Sequence, residues 1–135
     1  MKSKTLKRIL AFALAIVSVV SCFAISASAG TSTGTSSTFG EWLCSTKLDT
    51  LDDGTKYYYS STISEKYAKL TLESEYQAYP SGVQYDYIAK TSPGYDSRGI
   101  AIGKVKTQQS TVWSFHNWKS SSGTGMTRYT QLVNA

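Results

Sequence analysis

The chain has 135 residues, with 14 Lys and Arg against 9 Asp and Glu and a single histidine. One histidine and two cysteines cannot supply the ligands of a structural zinc site, and no glycine-rich phosphate loop opens a helix, so zinc-centred and nucleotide chemistry have no foothold. Four of the basic residues, Lys2, Lys4, Lys7 and Arg8, fall in the first eight positions; taking these 4 from 14 leaves 10 cations against 9 carboxylates in the remainder.

Those four cations form a basic start, and from Ile9 to Ala29 every residue is apolar or small. Ala27-Ser28-Ala29 then places small side chains where a signal peptidase needs them, so residues 1–29 read as a secretory signal peptide with Gly30 as the new N-terminus. An uncleaved membrane anchor is the first alternative. Ser18, Ser21, Ser26 and Ser28 make the stretch a poor lipid-facing helix. A lipobox at Val19-Val20-Ser21-Cys22, with the protein anchored through Cys22, is the second, and the apolar continuation Phe23-Ala24-Ile25 argues against it. The expected location is extracellular, with membrane contact only through the signal segment.

Residues 30–40 are rich in Gly, Ser and Thr, with little to bury, and read as a flexible linker. Residues 41–135 read as one β domain, because Tyr, Thr, Val and Ile are abundant and turn residues recur at short intervals. Residues 41–48 and 55–62 flank Asp52-Asp53-Gly54 as a hairpin. Residues 67–76 carry Ala68, Leu70, Leu72, Ser74 and Tyr76 on one face and Lys69, Thr71, Glu73 and Glu75 on the other, which predicts one buried side and one wet one. After Pro80-Ser81-Gly82, residues 83–90 place Val83, Tyr85, Tyr87 and Ala89 on one face. Residues 99–107 follow the Pro93-Gly94 turn, and a β-bulge at Gly103 would bring Val105 into phase with Ile100 and Ile102. Residues 111–119 and 126–133 complete about seven strands, which predicts an all-β antiparallel sandwich or partly open barrel.

Cys44 is the one cysteine left after the signal, either packed in the core or open to an intermolecular disulfide. Cys44 with His116 could in principle form a hydrolytic dyad. Nothing near Cys44 resembles a turn that would activate a thiol, so a packed thiol and an exposed imidazole are expected. Glu73 and Glu75 share a face of one strand, as a solvated face does, whereas glycosidase carboxylates oppose each other across a cleft. Asp49, Asp52 and Asp53 lack the alternating spacing of a calcium loop. No catalytic residue, metal or cofactor is expected, and no nucleic-acid partner.

Exposed aromatics and cations remain. All nine carboxylates lie between Glu41 and Asp96, and Arg98, Lys104, Lys106, Lys119 and Arg128 follow without one. Trp113 and Trp118 sit at odd and even positions of one strand, so one indole can be core while the other is presented. Lys104, Lys106, Trp113, His116, Trp118 and Lys119 are therefore the candidate binding residues, with an anionic envelope polymer as the expected partner.

The stretches Lys66-Tyr67-Ala68-Lys69-Leu70-Thr71-Leu72 and Ser97-Arg98-Gly99-Ile100-Ala101-Ile102-Gly103-Lys104-Val105, with the aromatic strand from Thr111 to Trp118, resemble the lactococcin family of secreted β-sandwich bacteriocins. The resemblance covers about half of the domain. It implies a non-enzymatic agent that acts at the envelope of competing bacteria by binding a wall precursor. A glycan-binding or cell-wall adhesion module is the competing reading.

Overall fold

Side chains that alternate in polarity every second residue suit strands, and seven form in antiparallel array: β1 (Gly30–Ser36), β2 (Gly40–Thr50), β3 (Lys56–Ala78), β4 (Gln84–Thr91), β5 (Ser97–Val105), β6 (Ser110–Lys119) and β7 (Gly125–Leu132). The computed structural model describes residues 30–78 and 84–135, apart from the side chains of Gln84 and Tyr85. The expected signal segment, the Pro80-Ser81-Gly82 turn and Val83 lie outside the described residues. The described residues are all-β, one nearly closed barrel-like sheet in the order β1-β2-β3-β6-β7, with β4 and β5 also paired to β3.

The 23-residue β3 organises everything else. Its first half pairs with β2 and β5 and its second half with β4 and β6. Between them the β5 register shifts from Ile63 to Ala68, and Glu65, Lys66 and Tyr67 are exposed where the strand turns from one wall to the other. At this bend the ladder is interrupted. Beside the shift, the Ile63 carbonyl accepts from the Trp118 indole at 3.2 Å. Residues 55–62 and 67–76, expected as two strands, are thus one.

The expected flexible linker is also a strand. Gly30–Ser36 pairs with β2 from Gly30↔Thr46 to Ser36↔Gly40. An edge strand gains its stability from the backbone ladder and needs no apolar side chains. The glycines serve close approach: a Cβ at Gly34 would lie 2.5 Å from the Trp42 ring, and one at Gly30 would lie 2.5 Å from the Gln131 backbone nitrogen on β7.

The buried faces follow the expected phases on β3 and β6. Ala68, Leu70, Leu72 and Tyr76 are fully buried, and Phe39, Trp42, Cys44, Ile100, Ile102 and Trp118 join Ala68, Leu70 and Leu72 in the larger core cluster. Tyr58, Tyr76, Val112 and Leu132 form a second cluster. Gly54, at φ 85°, makes the expected turn, where the Thr55 amide donates to the Asp53 carboxylate at 2.8 Å.

Two phases differ. No bulge forms at Gly103, because the register runs unbroken from Tyr57↔Val105 to Ile63↔Gly99. Val105 stays outside at 54% exposure, while Lys104 keeps the inward face and reaches Asp86 as an ion pair near the Tyr76 ring. A lysine tolerates this place because its long stem carries the charge to the mouth of the barrel. On β4 it is Ile88 that packs against the core, whereas Tyr87 and Ala89 are exposed.

Candidate functional site

The interior must be understood first, since two of the candidate binding residues are there. His116 is fully buried, where sequence reasoning expects an exposed imidazole, and Trp118 is 1% exposed. Neither can meet a ligand at the surface. Position 116 shares the inward phase of β6 with Val112, Ser114 and Trp118, and the wall opposite supplies hydroxyls.

Those hydroxyls form one layer across the core. Thr62 and Thr130 each lie 2.7 Å from an imidazole nitrogen, Nδ1 and Nε2 respectively. Thr130 continues to Thr46 at 2.7 Å, Thr46 to Ser60 at 3.1 Å and Ser60 to Ser114 at 2.8 Å. Ser74 closes a small ring, 2.7 Å from Ser114 and 3.3 Å from Ser60. All seven side chains are buried.

Proton counting fixes the direction of this network. Six hydroxyls and one imidazole N–H supply seven protons for seven contacts. If Nε2 carries the proton, it donates to Thr130, Thr62 donates to Nδ1, and each remaining hydroxyl donates once along the path Thr130, Thr46, Ser60, Ser114, Ser74 and back to Ser60. Every contact is filled. If Nδ1 carries it, the direction reverses, and Ser74 and Ser114 have two protons for three contacts. The neutral Nε2–H form is therefore the one that satisfies the layer. Burial agrees, holding the His116 pKa down at about 4.

Both imidazole nitrogens are occupied by threonines, and burial pushes the Cys44 thiol up to about 12. Cys44 is fully buried, which settles the packed alternative over an intermolecular disulfide in the folded chain. Thiol-reactive reagents are expected to label it roughly a thousandfold more slowly than an exposed thiol, from the loss of thiolate alone, and to label it rapidly in denaturant. Rapid labelling of the folded protein would contradict this placement. Among the described residues no three His, Cys, Asp or Glu side chains gather as metal ligands.

The basic candidates do not meet either. Lys104 is bound to Asp86 at the barrel mouth, and Lys106 lies just past the end of β5, its amide donating to the Lys56 carbonyl. Lys119 faces Lys69 across the β3–β6 ladder on the other wall. The sequence clusters them; pairing of β5 with the first half of β3 and of β6 with the second separates them.

What the fold does assemble is the outer face of the wall formed by β4, the second half of β3, β6 and β7. The registers set two adjacent rows across the strands: Tyr87, Glu75, Trp113 and Gln131 in one, and Ala89, Glu73, Phe115 and Tyr129 in the next. Tyr87 is 52% exposed, Tyr129 46% and Phe115 40%, with Trp113 half-buried among them. Phe115 and Tyr129 pack at 5.3 Å between ring centroids. Gln77 donates to Glu75 at 3.0 Å, and the Tyr87 phenol is pushed up by its hydrogen bond with Glu73. Burial, then the charge of Glu75, pushes the Tyr129 phenol up as well. A third row, Thr91, Thr71, Asn117 and Thr127, leads to Lys69 and Lys119.

Of the six candidates, Trp113 and Lys119 belong to this face. Tyr87, Glu73, Glu75, Phe115 and Tyr129 were not among them. Phe115 could have been found from its shared phase with Trp113, but the register that brings Tyr87 and Tyr129 alongside is a tertiary property.

Fold and face define a small all-β protein with a sealed, hydroxyl-lined interior and one aromatic outer wall. No protein-family model matches the chain, and no curated protein or solved structure is significantly similar to it.

Proposed function

We propose that this is an exported, non-enzymatic bacterial protein that acts at the cell envelope, and that it binds its target with the outer face of the β4-β3-β6-β7 wall. The observation that carries the reading is the pair of rows in which Tyr87, Trp113, Phe115 and Tyr129 flank Glu73 and Glu75. Aromatic rings offer flat apolar area at small entropic cost, and carboxylates and amides beside them orient polar ligand groups. Four strands about 4.8 Å apart span roughly 14 Å, enough to meet several units of an extended polymer. The apolar N-terminal segment and the likeness to the lactococcin bacteriocins support export and an envelope target.

Within this reading a bacteriocin is the first form and a glycan-binding or adhesion module the second. The same face serves both. Added to a growing Gram-positive culture, a bacteriocin arrests growth, whereas an adhesion module binds without harm.

The double variant Phe115→Ala/Tyr129→Ala is expected to bind purified Gram-positive walls at least about tenfold more weakly, since removal of a contact aromatic costs more than about 1.4 kcal/mol at a binding hot spot. Both side chains are well exposed, so the thermal midpoint should change little. Wall pull-down with a parallel melting curve checks this. Undiminished binding by a folded double variant would remove this face from the proposal.

A further inference from the structure

The aromatic face carries a charge pattern opposite to that of the basic C-terminal third. Glu73 and Glu75 stand at successive outward positions of β3 in the midst of the rings. Among the described residues neither carboxylate has an ion-pair partner; Gln77 donates to Glu75 and Tyr87 hydrogen-bonds Glu73, and both are neutral. Ring faces are themselves negative by their quadrupole, so four aromatic side chains and two carboxylates present one continuous negative surface. An anionic polymer laid here would be repelled at its centre. An organic cation would be attracted twice, by the rings and by the carboxylates. The cations at outward positions of this wall, Lys69 and its partner Lys119, lie four residues before Glu73 along β3, roughly 13 Å away.

We infer that the ligand of this face is a cell-wall polymer bearing ammonium substituents, seated with an ammonium group between Glu73, Glu75 and the rings of Tyr87, Trp113, Phe115 and Tyr129. The inference rests on the envelope-binding reading above and names its ligand chemistry. Lys69 and Lys119 are placed to meet anionic groups of the same polymer, so the face is dipolar along the strands and suits a chain that carries both charges.

Acetylation of wall amines converts each ammonium to a neutral amide and leaves the glycan intact, which gives a direct test. The purified protein is expected to bind N-acetylated Gram-positive walls at least about tenfold more weakly than untreated walls. Glu73→Gln/Glu75→Gln should bind untreated walls about as weakly as the native protein binds acetylated ones, and should be indifferent to acetylation. These isosteric changes lie on the outer face, and a melting curve checks that the variant is folded.

If acetylation leaves native binding unchanged while Phe115→Ala/Tyr129→Ala lowers it, the ligand is a neutral glycan: the ammonium inference falls and the face remains. If the aromatic variant also binds as the native protein does, the face itself is wrong. A loss on acetylation that persists in the glutamine variant would place the ammonium site elsewhere and likewise overturn the inference.

Discussion

Trp118→Ala is expected to destabilise the protein by about 3–5 kcal/mol, the range for deleting a large buried aromatic. Trp118 is 1% exposed and meets the edge of Trp42 at 5.6 Å between centroids, so its loss opens a cavity between the two walls. It also donates to the Ile63 carbonyl beside the register shift of β3, a buried hydrogen bond that is lost with the indole. Two costs therefore add at one site: lost packing and a lost buried hydrogen bond. Chemical denaturation read by fluorescence of the remaining tryptophans measures the effect. A loss below about 1 kcal/mol would contradict the role of this side chain as the link that holds the bend.

The second large effect is acid sensitivity through His116. Its folded pKa, held down by burial at about 4, lies below the unfolded value of 6.5, so the unfolded chain binds the extra proton first as the pH falls. The His116 contribution to stability is complete above pH 6.5 and is lost as the pH falls through the folded value near 4. The gap corresponds to about 3 kcal/mol. Asp49, Asp53 and Asp86 have carboxyls held below their ordinary 3.8, so their contributions are lost at still lower pH and leave the upper window to the histidine.

Among the described residues no carboxylate hydrogen-bonds or ion-pairs with the imidazole. Arg128, its cross-strand neighbour on β7, is a cation, and Thr62, Thr130 and the Trp118 ring at 6.4 Å also face it. A proton gained here also forces Nδ1 to donate where Thr62 already does. His116→Ala should cost about 2–4 kcal/mol at neutral pH, through the hydrogen bonds that Thr62 and Thr130 lose and the cavity, and should flatten the stability profile between pH 4 and 6.5. Denaturant midpoints across that range, with the imidazole nitrogen shifts read by NMR, check both the slope and the Nε2–H form. A native profile as flat as the variant's would contradict the buried, doubly bonded imidazole.

Much of the fold was legible because period-two patterning is a local property. Ala68, Leu70, Leu72 and Tyr76 declared the inner face of β3, and the odd and even placement of Trp113 and Trp118 sent one indole outward and one inward. What failed was whatever depends on partners distant in sequence. Gly30 and Gly34 look like flexibility until β7 and Trp42 are seen to press against them. His116 looks polar and exposed until Thr62 and Thr130 arrive from other strands to bond both nitrogens. Lys104 looks out of phase until Asp86 is found across the mouth of the barrel. Seven strands were expected and seven form, but by a different division: the linker becomes β1, and two expected strands fuse through the bend at Glu65-Lys66-Tyr67.

The candidate site shows the same limit. Charge counting along the chain pointed to the basic last third. Binding surfaces, however, are made of residues adjacent across strands, and the β3–β4, β3–β6 and β6–β7 registers bring two acidic residues of the middle third beside aromatics from either side. Glu73 and Glu75 were readable as a solvated face. Their setting among four aromatic side chains was not.

Residue-resolved chemical-shift mapping with a soluble fragment of Gram-positive wall tests the central claim most directly. The account predicts that the perturbed amides and side chains cluster on the outer face of the β4-β3-β6-β7 wall, at Glu73, Glu75, Tyr87, Trp113, Phe115 and Tyr129, while the signals of His116 and Trp118 in the sealed interior stay in place. Perturbations centred on Lys104 and Lys106 at the barrel mouth, with the aromatic wall silent, would contradict it.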